Sequence, residues 1–188
     1  KTFGEADAET YGFLGTLAYA TQADGDYAGA ETILVDALDR CRIGLGPAHP
    51  STIALVNRLT SVQEAQGKFA QAADQYGELA EAVRAQHGSE STDLGEVLHH
   101  RADALAQMEE LVEAELCARE AANIYAAAKA SPPNELRHCA EVLNRILETK
   151  GVSSAERAEA LRPLLERQRK NVPPDHIELI MPHSLLGA

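Results

Sequence analysis

A period of 42 residues runs through this chain and limits what it can fold into. Gly25-Asp26-Tyr27 is followed by Ala30, and Gly67-Lys68-Phe69 by Ala72 at the same offset. Glu109-Glu110-Leu111 is followed by Ala114, and Gly151 opens a fourth copy. A second landmark keeps the same spacing, Gly46 in LGPAHP and Gly88 in QHGSES. Self-similarity of this length marks a repeat architecture, in which one unit shelters its apolar face only by stacking on the next. Armadillo-type repeats and propeller blades share such a period. Blades fit poorly, because the segments between landmarks lack strand-like alternation and β-branched runs.

Between landmarks the apolar spacing is helical. Leu14, Leu17 and Ala18 recur as Val56, Leu59 and Thr60, one face of a first helix. Ala30, Leu34, Ala37 and Leu38 recur as Ala72, Tyr76, Leu79 and Ala80, one face of a second. Pro50 and Pro132 stand where a helix begins and a missing N–H costs nothing. Ser153 with Glu156 forms a capping box, and Gly46 and Gly88 fall where a helix ends in positive φ. First helices are expected at about 6–23, 50–66, 92–108 and 133–149. Second helices are expected at about 27–44, 69–87, 111–129 and 154–169, with Pro163 kinking the last or delaying its start.

Composition narrows the partners. Acidic side chains number 29 against 17 basic ones, a formal charge of −12, which repels phosphate backbones and anionic lipid. Nucleic acid and membrane are therefore not expected partners, and no run reaches the ~20 apolar residues of a membrane span. Cys41, Cys117 and Cys139 are odd in number and lack metal-ligand spacing, so each reads as a small buried hydrophobe in a reducing, cytoplasmic setting. The sequence begins at Lys1 without a Met and reads as an excised part of a longer protein.

The run Leu17-Ala18, Gly25-Asp26-Tyr27, Ala30-Glu31 and Leu45-Gly46-Pro47-Ala48-His49-Pro50 resembles the 42-residue tetratricopeptide (TPR) repeats of kinesin light chains. The resemblance is strongest in the first two repeats and weakens where Arg101 takes the place of Leu17 and Leu59. It implies an all-α, right-handed α-solenoid of antiparallel helix hairpins forming a single domain. Four repeats are expected, at about 6–47, 48–89, 90–131 and 132–171, with a C-terminal capping segment at 172–188. Val172-Pro173-Pro174-Asp175-His176 looks like a shifted copy of the Gly-Pro-x-His-Pro landmark, and a partial helix over 175–187 would close the stack.

In that family the first helices line the concave surface. The inward positions carried over are Gly12, Gly15 and Tyr19; Asn57, Ser61 and Glu64; Glu96, His99 and Asp103; and His138, Glu141 and Arg145. Members of each row share a helix face, and none is needed for the packing pattern of Leu14, Leu17, Val56, Leu59, Leu98 and Ala102. The carboxylate clamp of chaperone-binding repeats is absent, its positions reading Gly15, Tyr19, Arg58, Glu96 and His100. Glu64, Glu96, Asp103 and Glu141 outnumber Arg58 and Arg145, which favours a neutral or basic protein or peptide guest.

A catalytic role has little to stand on. Glu96-x-x-His99 and Glu135-x-x-His138 have the spacing of di-iron helical bundles, but the two pairs do not superpose under the repeat. No nucleophile elbow, phosphate loop or His-Glu-x-x-His occurs. The expectation is an interaction or scaffold module without catalytic residues, metal or cofactor, which could regulate another domain of its parent. The alternatives are a structural solenoid whose ends stack into homo-oligomers, and a metal-binding helical protein.

Overall fold

The computed structural model describes residues 8–128 and 133–171, and every regular element among them is an α-helix. Eight helices follow in order: α1 (Ala8–Ala23), α2 (Tyr27–Leu45), α3 (Pro50–Ala65), α4 (Phe69–His87), α5 (Thr92–Gln107), α6 (Leu111–Ala127), α7 (Pro133–Thr149) and α8 (Ser154–Asn171). The described ends lie within two residues of those read from the sequence. Pro132 and the closing helix expected at 175–187 lie outside the described residues.

The four hairpin turns close in one way. The N–H just past each turn bonds back to the last turn of the first helix: Asp26 to Thr21 O at 3.1 Å, Lys68 to Gln63 O at 2.8 Å, Glu110 to Leu105 O at 3.0 Å, and Val152 to Leu147 O at 2.9 Å. This closure needs one residue in the left-handed region. Gly25, Gly67 and Gly151 supply it without steric cost, whereas the third repeat forces Glu109 to φ 64°.

Four helix starts carry side-chain caps, whereas α4 and α6 begin after Lys68 and Glu110 without one. Pro50 opens α3, and His49 Nδ1 accepts the Ser51 N–H at 3.1 Å. Asp26 Oδ1 accepts from Gly29 N at 2.8 Å, and Ser91 Oγ accepts from Asp93 N at 3.2 Å. Glu156 Oε2 accepts the Ser153 N–H at 3.2 Å while Ser153 Oγ accepts the Glu156 N–H at 3.4 Å, the reciprocal box expected before α8. Pro163 does not delay the start of that helix, which runs from Ser154 to Asn171 through it. The proline is exposed, so the carbonyl one turn earlier that loses its N–H partner has water available.

The helices cluster into two compact units, residues 1–88 with α1–α4 and residues 89–188 with α5–α8. In the first unit α3 packs on α1, α2 and α4; in the second, α7 packs on α5, α6 and α8. Leu55, Val56, Leu59 and Val62 of α3 are buried, and Thr60 Oγ1 donates to the Tyr76 hydroxyl of α4 at 2.7 Å. In the second unit Leu136, Cys139, Leu143 and Ile146 of α7 are buried, and Cys139 Sγ reaches the Ala118 carbonyl of α6 at 3.8 Å. All three cysteines are free and buried. The core role expected for Leu17 is not realised: it is 53% exposed, whereas its repeat equivalent Leu59 is 1% exposed. Leu59 is enclosed by the preceding hairpin, and no described helix covers that side of α1. Among the described residues no helix is long and apolar enough to cross a membrane.

Candidate functional site

Each unit opens a cleft between its two first helices. In the first unit Gly15, Tyr19 and Gln22 of α1 face Asn57, Arg58 and Ser61 of α3 over a floor at Leu34, around about 270 Å³. In the second unit His99, His100 and Asp103 of α5 face His138, Glu141, Val142 and Arg145 of α7, around about 300 Å³. The same repeat positions line both. Gly15, Asn57, His99 and Glu141 form one row at 42-residue intervals, and Tyr19, Ser61, Asp103 and Arg145 form a second. Every member of both rows lines its cleft.

The first cleft is shaped by a glycine. Arg58 lies across Gly15 so closely that a Cβ there would sit 3.1 Å from its Cδ and Nε. Arg58 Nη1 makes only a long 3.5 Å contact to the Gly15 carbonyl, and no carboxylate among the described residues pairs with it. Tyr19 is exposed, Ser61 is exposed and Asn57 is half-buried, so hydroxyl and amide groups converge on open space.

The second cleft is built around a buried histidine. His99 is 2% exposed, with its ring 4.1 Å from that of His100 and 6.3 Å from that of Tyr125. Gly95 admits the tyrosine, since a Cβ there would lie 3.1 Å from Tyr125 Cζ. Burial pushes the His99 pKa down to about 3, reinforced by His100 and His138 and opposed by the Gly95 carbonyl. Burial also lowers His100, with Asp103 pulling the other way and His138 adding to the fall. Both rings are thus neutral near pH 7. Arg145 of α7 pairs with Asp103 of α5 across the opening, and Arg137 Nη1 holds Glu141 at 3.0 Å.

Of the positions carried over from the repeat pattern, Gly15, Tyr19, Asn57, Ser61, His99, Asp103, His138, Glu141 and Arg145 line a cleft. Gly12, Glu64 and Glu96 do not. His99 departs from its expected place outside the packing pattern, because its ring fills the space between Gly95 and Tyr125 and belongs to the core as well as the cleft. Arg58, His100 and Val142 also line the clefts although the inward rows omit them. They form a third row at 42-residue intervals, one step past Asn57, His99 and Glu141, and that register is the signal that points to them. Among the described residues no group of three or more His, Cys, Asp and Glu side chains is arranged to hold a metal.

The family model described as Tetratricopeptide repeat matches residues 7–83. Among solved structures, the nearly identical TPR-like repeats of a Podosopora anserina protein assigned as a kinesin light chain superpose with a TM-score of 0.71 at 21% identity, over 96% of this chain and 82% of that one. A single-substitution form of the same repeats gives 0.70 at 22% identity, over 95% and 81%. BtubC (BKLC) from P. vanneervenii gives 0.66 at 16% identity, over 93% of this chain and 64% of that one. A search of curated proteins found no significant match. At these identities the likenesses show the fold, an all-α solenoid class of antiparallel hairpins. Repeats of this kind are in general protein-interaction scaffolds. Residues 7–83 thus match the tetratricopeptide repeat family, and over most of its length the chain shares the fold of kinesin-light-chain TPR-like repeats.

Proposed function

We propose that this chain is a non-enzymatic scaffold that holds segments of a partner protein against its first helices, the cleft of each unit being a contact site in its own right. One observation carries the reading: two separately packed units open a cleft at the same repeat positions, with the variable side chains of the repeat facing into it. A core position such as that of Val56, Leu98 and Ala140 stays apolar and buried from repeat to repeat, while the cleft rows change from Gly to Asn to His to Glu. Variation confined to a lined opening is what recognition requires and packing does not.

The guest is neutral or basic. In the second cleft two carboxylates, Asp103 and Glu141, face one lining guanidinium, Arg145, on a chain of formal charge −12. Such a field speeds the approach of a cationic segment and discriminates against an acidic one. The first cleft, with Asn57, Ser61 and Tyr19, offers donors and acceptors to a peptide main chain. A role in regulating another domain of a parent protein is compatible with the same surface.

Fluorescence anisotropy with matched peptides, identical except for Lys or Glu at the charged positions, tests the reading. The basic peptide is expected to bind about tenfold tighter at low salt. Replacing Asn57 and Ser61 together by Ala, or His138 by Ala, is expected to weaken it without loss of helicity. Tighter binding of the acidic peptide, or affinity indifferent to both variants, would discard the proposal.

A further inference from the structure

The outer side of α1 carries an apolar row that the repeat buries on α3 and α7. Phe13 is 75% exposed and Leu17 is 53% exposed, and Ala20 is exposed beside them. At 42-residue equivalence these are Leu55, Leu59 and Val62 of α3, and Cys139, Leu143 and Ile146 of α7, all buried. The Cys139 contact to the Ala118 carbonyl of α6 fixes what covers the row, namely the preceding hairpin. On α1 the row is in place and the cover is missing among the described residues.

The charges around the row say what kind of cover fits. In the first unit Glu31 of α2 reaches over α3 to Gln66 Nε2 at 3.0 Å and Lys68 Nζ at 2.5 Å in the turn that follows. In the second unit Glu115 of α6 reaches over α7 to Lys150 in the same way. These donors hold both glutamates below the ordinary carboxylate range. Glu31 and Glu115 are themselves repeat equivalents. In the turn after α1 the equivalents of Gln66 and Lys68 are Asp24 and Asp26, both exposed. A covering helix with glutamate at the usual place would therefore set one carboxylate against two.

From this we infer that the outer face of α1 is a docking site for an amphipathic helix of a partner protein, with an Ala- and Leu-rich face seated on Phe13, Leu17 and Ala20. It bears Lys or Arg where α2 and α6 bear Glu31 and Glu115. This surface is separate from the two clefts and does not depend on what they bind. A second copy of this acidic chain is a poor occupant, since Asp24 and Asp26 would bring like charge to like.

Two synthetic helices supply the test: the α2 sequence, residues 27–45, and the same peptide with Glu31→Lys. Each is titrated into the isotope-labelled chain and followed by NMR. The lysine peptide is expected to shift Phe13, Leu17 and Ala20 and to bind about tenfold tighter than its glutamate parent, the advantage shrinking with salt. Leu17→Lys, a change at an exposed position, should abolish the shifts while the spectrum stays folded. Asp24→Lys should bring the two peptides level. Equal affinity for the unaltered chain, shifts lying away from α1, or none at millimolar peptide would overturn the assignment. Sedimentation showing that the chain covers this face by pairing with itself would overturn it as well.

Discussion

The cleft between α1 and α3 and the cleft between α5 and α7 stand on the same repeat positions, yet they are different chemical objects. The first is lined by a glycine, an amide, hydroxyls and one arginine lying over Gly15. The second is lined by three histidines, an ion pair between neighbouring first helices and a further glutamate, with His99 sunk into the core. The repeat fixes where a cleft lies, and the residue at each position decides whether it stays open or becomes part of the packing. Gly15 leaves space that Arg58 crosses; His99 fills its space against Gly95 and Tyr125. One cleft can then change sequence at little cost in stability, while the other ties recognition to the core.

The sharpest way to break that comparison is to place a charge at one row in both units. His99→Lys is expected to destabilise the chain by about 3 kcal/mol or more, because the new charge would be buried without a partner. Asn57→Lys, at a half-buried position of the same row, should cost under about 1 kcal/mol. Urea denaturation measures both, and equal losses would show that the two clefts are not packed differently.

Acid offers a second separation. His99 is held well below the ordinary histidine pKa, so between about pH 6.5 and pH 3 the unfolded chain takes up a proton that the folded chain refuses. Stability should fall as pH drops through that window, by about 3 kcal/mol at pH 4.5. Glu31 and Glu115, whose folded pKa values are lowered, add a loss of the same sign as pH falls through them. In the His99→Gln variant the loss between pH 6.5 and 5 should shrink, what remains belonging to His100, whose pKa burial also lowers. Amide hydrogen exchange should show the opening in α5 and α7 and not in α1 and α3. A pH profile left unchanged by the variant would remove His99 from the account.

A smaller contrast lies in the hairpin turns. Glu109 adopts the left-handed conformation that Gly25, Gly67 and Gly151 adopt elsewhere. Glu109→Gly is expected to stabilise the chain by about 0.5–1 kcal/mol, whereas Gly67→Ala should destabilise it by a similar amount. Thermal unfolding of the two variants checks the opposite signs. The smallest effect belongs to the Asp103–Arg145 pair, which is partly exposed on both sides. Its removal by Arg145→Ala should cost about 0.5 kcal/mol or less and lose even that in high salt.

How much of this was legible beforehand follows from how local each cause is. Helix ends depend on residues within one turn, such as Pro50 after His49 or Ser153 before Glu156, and their positions were readable to within two residues. The inward rows at Asn57 and Ser61, or Asp103 and Arg145, were carried over from the family resemblance, and the 42-residue register only propagates them from repeat to repeat. The burial of His99 was not legible. It depends on Gly95 one turn back leaving room for Tyr125, a residue of another helix. The exposure of Leu17 was hidden for a related reason, since its pattern matches that of Leu59 and only the neighbouring hairpin differs.

By itself, then, the amino-acid order determined the helix hairpin, its 42-residue register and which residues share a helix face, all consequences of backbone periodicity and capping over short range. The tertiary structure alone decided which equivalent positions are sealed and which stand open. It also set the ionisation of His99 and left the apolar row of α1 exposed, because burial is a property of what lies across a contact and no residue carries its neighbour in its own sequence.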